Sequence, residues 1–247
     1  PVHSHPTELL TDPILTAVKH EVFAFLVKST IFIDASPMHD QHFDDLAIRF
    51  AKKIYGSNKG TIRLAVLQAD LTEVLPQRPL QVLDIGAGLG HMSLWLAQQG
   101  HHVTLVEPAL SMLETAQNSF ANAQCQATFI QADWQTFTQQ NQQQYDLVLC
   151  HAVLEWLAET KTILSALQQL TAADGWLSLA FYNQDGLILQ NLIKGNLRKL
   201  NQQRLTGDAG GLTPQQPLDP RELADQVEPL WYIRQRSGIR VFHDYMP

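Results

Sequence analysis

The chain has 247 residues, 45% hydrophobic and 17% charged, with a formal net charge of −7 at neutral pH. These totals describe a globular protein with material for one decorated α/β domain, and exclude a disordered chain or a polycation that coats nucleic acid non-specifically. Two cysteines, Cys125 and Cys150, cannot build a disulfide framework and point to a reducing, cytoplasmic setting. No CxxC, HExxH or clustered His/Cys spacing offers a metal site. The longest apolar stretch near the start, residues 22–27, is far too short to span a bilayer and has no basic leader, so neither a membrane anchor nor a signal peptide is expected.

Residues 1–40 read as an N-terminal helical extension. Thr11-Asp12-Pro13 is a helix start, after which Ile14, Val18, Val22, Phe25 and Leu26 share one face. The main domain is expected over residues 41–247. It opens with a helical pattern of Phe43, Leu46, Ala47, Phe50, Ile54 and Tyr55, followed by a loop at residues 56–60. A further helix carries Ile62, Leu64, Leu67 and Leu71. Lys59 and Arg63 stand at its start, where cations oppose the helix dipole; they either meet an anionic partner or form a solvated helix end.

Five strands are then expected, at residues 80–85, 103–107, 127–131, 145–150 and 176–182, with helices over 108–120 and 160–170. A polar loop at 139–144 and a turn at 173–175 separate later elements. This alternation predicts a Rossmann-like, doubly wound, mostly parallel sheet. Residues 183–220 form a lid-like insertion with an apolar helix, the cations Lys194, Arg198, Lys199 and Arg204, and a glycine- and proline-rich loop. Such a cationic face is either solvated surface or a binding surface. Asp219-Pro220 opens another helix, and late strands are expected at 231–236 and 239–245.

The chemistry concentrates where the first strand ends. Asp84-Ile85-Gly86-Ala87-Gly88-Leu89-Gly90 leads from that strand into a helix beginning near Met92. Glycine lets backbone amides approach a ligand closely, and the helix N-terminus favours an anionic group. A dinucleotide fingerprint needs glycine where His91 stands. The D-x-G-x-G-x-G run instead resembles the first motif of class I S-adenosyl-L-methionine methyltransferases. Glu107, about 20 residues after the loop, can accept both ribose hydroxyls of either cofactor and does not distinguish them. Asp133 suits an adenine amine or a turn cap, and Trp134 can stack on the ring. His151, at the carboxyl end of the fourth strand, can touch a cofactor or serve as a structural hydrogen-bonding residue; Val153-Leu154-Glu155-Trp156 would wall the site.

From about His42 to Met246 the chain resembles the CmoM (SmtA) family of tRNA 5-carboxymethoxyuridine methyltransferases. The segments that carry the resemblance are Phe43-Asp44-Asp45-Leu46-Ala47, Ile54-Tyr55-Gly56-Ser57-Asn58-Lys59-Gly60, His151-Ala152-Val153-Leu154-Glu155-Trp156, Phe181-Tyr182-Asn183 and Gly238-Ile239-Arg240-Val241-Phe242-His243-Asp244-Tyr245. The resemblance implies methyl transfer from S-adenosyl-L-methionine to the wobble uridine's carboxylate in the tRNA anticodon, with S-adenosyl-L-homocysteine as coproduct. It implies cofactor contacts at Arg63, Asp84, Gly86, Ala87, Gly88, Glu107, Asp133, Trp134 and His151, and substrate positioning by Arg240 with Tyr182 and His243. This sequence departs from the family in its first forty or so residues, in Glu107 where aspartate is frequent, and in a helix and strand that the family carries beyond the position of Pro247. The rival readings are a methyltransferase for a small carboxylic acid and a non-catalytic homologue that binds the cofactor or RNA.

Overall fold

The computed structural model describes residues 58–157, 159–198 and 216–239, all within the larger of the chain's two units, 38–247. The two helical patterns expected before residue 57 lie outside the described residues, as does the late strand expected beyond Ile239.

Helix α1 (Asn58–Val74) precedes strand β1 (Gln81–Ile85), helix α2 (His91–Gln98) and strand β2 (His102–Val106). Helix α3 (Leu110–Asn122), strand β3 (Thr128–Ile130), helix α4 (Trp134–Gln140) and strand β4 (Tyr145–His151) follow. A 3₁₀ turn at Leu154–Trp156 leads to helix α5 (Thr160–Leu170), strand β5 (Thr171–Ala180), helix α6 (Gln184–Ile193) and helix α7 (Pro220–Val227). The expected loop at 56–60 is partly helix, because α1 already includes Lys59 and Gly60. No described helix is long and apolar enough to cross a membrane.

The five described strands all run parallel in the order β3-β2-β1-β4-β5. The chain therefore works outward from β1 in one direction, then returns to lay β4 on its other side. That reversal opens a crevice at the carboxyl ends of β1 and β4, which is where such sheets bind ligands.

Successive strand residues point to opposite faces, and here both faces are covered. Leu83, Ile85, Val148 and Cys150 pack with Ile163, Leu164 and Leu167 of α5 on one side. Val82, Leu147 and Leu149 pack with Met92, Leu96, Leu105 and Phe120 on the other. The strands accordingly read as continuous apolar runs. Helix α5 is held at its start by Glu159, whose carboxylate accepts from the Lys161 and Thr162 amides at 2.7 and 2.9 Å.

Two expectations are corrected. The turn at 173–175 lies inside β5, where the pairing jumps from Tyr145↔Thr171 to Leu147↔Trp176. The local turn chemistry is real, but the strand resumes on the same neighbour, so it forms a bulge. Residues 231–236 do not form a strand. Their apolar and polar alternation finds no strand to pair with among the described residues. Side chains hold the segment instead: Gln235 and Ser237 both donate to Asp70, at 2.8 and 3.0 Å, and Arg236 pairs with Glu228 at 3.0 Å.

The entry to α2 depends on Gly90, which has φ +70°. A β-carbon there would stand 2.9 Å from Leu105 Cδ2 and 3.1 Å from Ala116 Cβ. Gly90→Ala is expected to cost about 2 kcal/mol of stability, from left-handed strain plus overpacking. Equilibrium urea unfolding measures it; an unchanged midpoint would contradict this account of the turn.

Candidate functional site

A cavity of about 880 Å³ opens at the carboxyl ends of the strands. The described residues expected to contact the cofactor or position the substrate all line it: Arg63, Asp84, Gly86, Ala87, Gly88, Glu107, Asp133, Trp134, His151 and Tyr182. Arg240 and His243 lie outside the described residues. Lys194 and Arg198 do not line the cavity but lie at and beyond the end of α6.

The glycine loop is fixed from below by β2, since Val106 O accepts from the Gly86 and Ala87 amides at 2.9 and 3.1 Å. A β-carbon at Gly86 would stand 2.5 Å from Val153 Cγ2, whereas one at Gly88 meets nothing within 4 Å. The loop is thus packed tightly behind and open toward the cavity at Gly88.

Glu107 is 6% exposed and bridges two loops. Its Oε2 accepts from the Gly88 amide at 2.8 Å and its Oε1 from the Ala109 amide at 3.0 Å. A carboxylate has about four acceptor positions in all. Asp84 is also buried and accepts from Ser93 Oγ at 2.6 Å. Burial, with Glu107 nearby, pushes its pKa up to about 7. A positive ligand group at this spot would restore the ionised form.

Asp133 realises the cap expected as one of its two roles. Its Oδ1 accepts from the Thr136 amide at 2.6 Å at the start of α4, while the residue also borders the cavity. Trp134 follows, with a buried indole Nε1 that has no hydrogen-bond partner among the described residues. His151 Nε2 is 2.8 Å from Ser178 Oγ. Burial, reinforced by the charge of Arg63, lowers the His151 pKa to about 4, so the imidazole is neutral at pH 7.

Sequence reasoning gave Glu155 no role beyond the cavity wall. It is 2% exposed on the 3₁₀ turn, and burial raises its pKa to about 7. Its Oε2 has no hydrogen-bond partner among the described residues. The available signal was a carboxylate inside an otherwise apolar Val153–Trp156 run, which a bland core turn does not require. Among the described residues no cluster is suited to hold a metal ion.

Residues 82–175 match the family model described as a methyltransferase domain. The chain is 36% identical over 216 residues to the tRNA 5-carboxymethoxyuridine methyltransferase of Escherichia coli K12, covering 85% of this chain and 82% of that protein. A shorter match, 26% over 106 residues, links it to the ubiquinone biosynthesis O-methyltransferase of Salmonella paratyphi A, covering 43% of this chain and 44% of that one. Among solved structures, magnesium protoporphyrin IX methyltransferase from Synechocystis PCC 6803 with bound SAH shares the fold at TM-score 0.55 and 20% identity, covering 79% of this chain and 88% of that one.

The buried acids give a pH signature. Asp84 and Glu155 have ordinary values of 3.8 and 4.5 and folded values near 7. Between those limits the unfolded chain loses protons first, so ligand-free stability falls as pH rises from about 4 to 7. Asp84→Asn is expected to flatten this decline, by up to about 1 kcal/mol per pH unit. Urea unfolding at pH 5 and pH 7.5 checks it; identical slopes for variant and wild type would refute the assignment.

Proposed function

This chain belongs to the tRNA 5-carboxymethoxyuridine methyltransferase family, and we propose that it methylates the carboxylate of 5-carboxymethoxyuridine at the tRNA wobble position, using S-adenosyl-L-methionine and releasing S-adenosyl-L-homocysteine. The observation that carries this reading is the reach of the 36% match. Its 216 aligned residues extend well beyond the methyltransferase core at 82–175.

The cavity suits this cofactor on its own chemistry. Gly88 leaves open space, Trp134 Nε1 and Glu155 Oε2 are buried polar atoms without hydrogen-bond partners among the described residues, and Asp84 is a buried acid that a cation would relieve. In this reading Glu107 accepts the ribose hydroxyls, Asp133 and Trp134 border the adenine, and Arg63 takes the amino-acid carboxylate. His151 walls the site as a neutral ring held beside Ser178. When bound, the cofactor supplies a methyl group activated on a sulfonium.

The acceptor carboxylate is ionised at neutral pH, so no residue has to remove a proton. The protein's task is orientation and exclusion of water. Tyr182, on the cavity wall after β5, would help to position the carboxylate together with Arg240 and His243. A guanidinium grips one carboxylate oxygen through a fork of donors. Full neutralisation would blunt the nucleophile, so the arrangement has to steer more than it pairs. Lys194 and Arg198 would meet the RNA backbone outside the cavity.

Nucleoside mass analysis tests the proposal. Incubating the protein with cofactor and tRNA bearing unesterified 5-carboxymethoxyuridine is expected to add one methyl to that nucleoside. Esterification of free small carboxylic acids without activity on the tRNA would overturn it. Replacing Lys194 and Arg198 together with Gln is expected to weaken tRNA binding about tenfold at moderate salt and to flatten its salt dependence. Unchanged tRNA affinity would remove these two cations from the RNA surface.

A further inference from the structure

Two charged side chains on the cavity wall keep hydrogen-bonding capacity unused among the described residues. Among the described residues, neither a hydrogen bond nor an ion pair engages the Arg63 guanidinium on α1. Glu155, on the 3₁₀ turn after β4, presents a buried Oε2 that is equally unpartnered. The two are within electrostatic range, because the charge of Arg63 acts on both Glu155 and His151.

The two partners differ in freedom. Glu155 is 2% exposed and held on two sides. Its carboxyl accepts from the Tyr182 backbone amide, and its own carbonyl accepts from the Gln216 amide at 3.3 Å. Arg63 is a half-buried residue on a long side chain whose immobilisation costs entropy. A lone buried carboxylate oxygen is unfavourable until a donor reaches it, and a guanidinium offers five N–H donors in a planar fork. One edge of that fork can rest on Glu155 while the remaining donors stay available to a second carboxylate.

We infer that Glu155 is a positioning residue for Arg63: its buried Oε2 seats the guanidinium so that the remaining donors face the amino-acid carboxylate of the cofactor. This rests on the assignment of Arg63 made above. Ligand and Glu155 supply two acceptors for one cation, so pairing is completed on binding and the buried acid is satisfied at the same moment. The contact also ties cofactor occupancy to the backbone of Tyr182, just before residues 183–220, and of Gln216 within them.

A double-mutant cycle on ligand binding tests this. Calorimetry would measure S-adenosyl-L-homocysteine and 5′-methylthioadenosine, a nucleoside thioether without the amino-acid group, against wild type, R63Q, E155Q and the double variant. R63Q is expected to weaken S-adenosyl-L-homocysteine about tenfold and E155Q about fivefold, with the double variant within about twofold of R63Q. Affinity for 5′-methylthioadenosine should stay within about twofold throughout, which a collapsed turn would not allow. Losses that multiply in the double variant would overturn the inference, since Glu155 would then act on the ligand independently. Equal weakening of both ligands by E155Q would overturn it in favour of a purely structural acid. If R63Q leaves S-adenosyl-L-homocysteine affinity unchanged, the Arg63 assignment falls and this inference with it, while the tRNA assay stands apart. Should E155Q fail to fold, E155D carries the same cycle.

Discussion

One buried carboxylate organises the ligand-binding end of this molecule. Glu107 stands just past β2 and bonds forward to the Ala109 amide and across to the Gly88 amide. It thereby joins the loops that follow β1 and β2, and so fixes the entries to α2 and α3 relative to each other. Backbone bonds from Gly86 and Ala87 to Val106 reinforce the same junction. The glycine loop can curve through left-handed conformations only because the sheet and this carboxylate hold it there.

The cavity walls are electrostatically incomplete by themselves. Asp84 and Glu155 are pushed toward neutrality by burial, and His151 is pushed the same way from the basic side. A site that costs its own acids their charge is prepared for a ligand that brings positive charge back. The cofactor of this family carries an ammonium and a sulfonium beside its carboxylate, which matches the acids and the Arg63 guanidinium on the wall. Stability given up in the empty protein would then return as binding free energy.

The acceptor side of the reaction asks less of the protein. An ionised carboxylate needs no base, which fits a cavity in which the histidine at the end of β4, His151, is neutral and lies 2.8 Å from Ser178 Oγ. In the proposed reading orientation would fall to residues after β5, beginning with Tyr182 on the cavity wall. The Tyr182 carbonyl accepts from the Leu218 amide at 3.0 Å, at the return of the insertion. The wall of the site and the return of the insertion are thus built from one backbone contact.

Much of this was legible from the sequence, for identifiable reasons. Apolar strand runs, the glycine spacing after Asp84 and the acid at Glu107 are local signals, and the sheet, its order of elements and the cavity-lining residues followed from them. The cap at Asp133 was legible as an alternative, because Asp before a helix has only a few uses. What the sequence could not decide depended on neighbours distant along the chain. Turn residues at 173–175 became a bulge because β4 continued to pair beyond them. The alternation at 231–236 produced no strand because no edge among the described residues received it, and Asp70 of α1 held that segment instead. Glu155 looked like one more wall residue until folding buried it, bonded its backbone to Gln216 and left one oxygen without a donor within range of Arg63. Local pattern determines what each segment becomes; desolvation and pairing, which exist only once the segments meet, determine which of its charges are left wanting a partner.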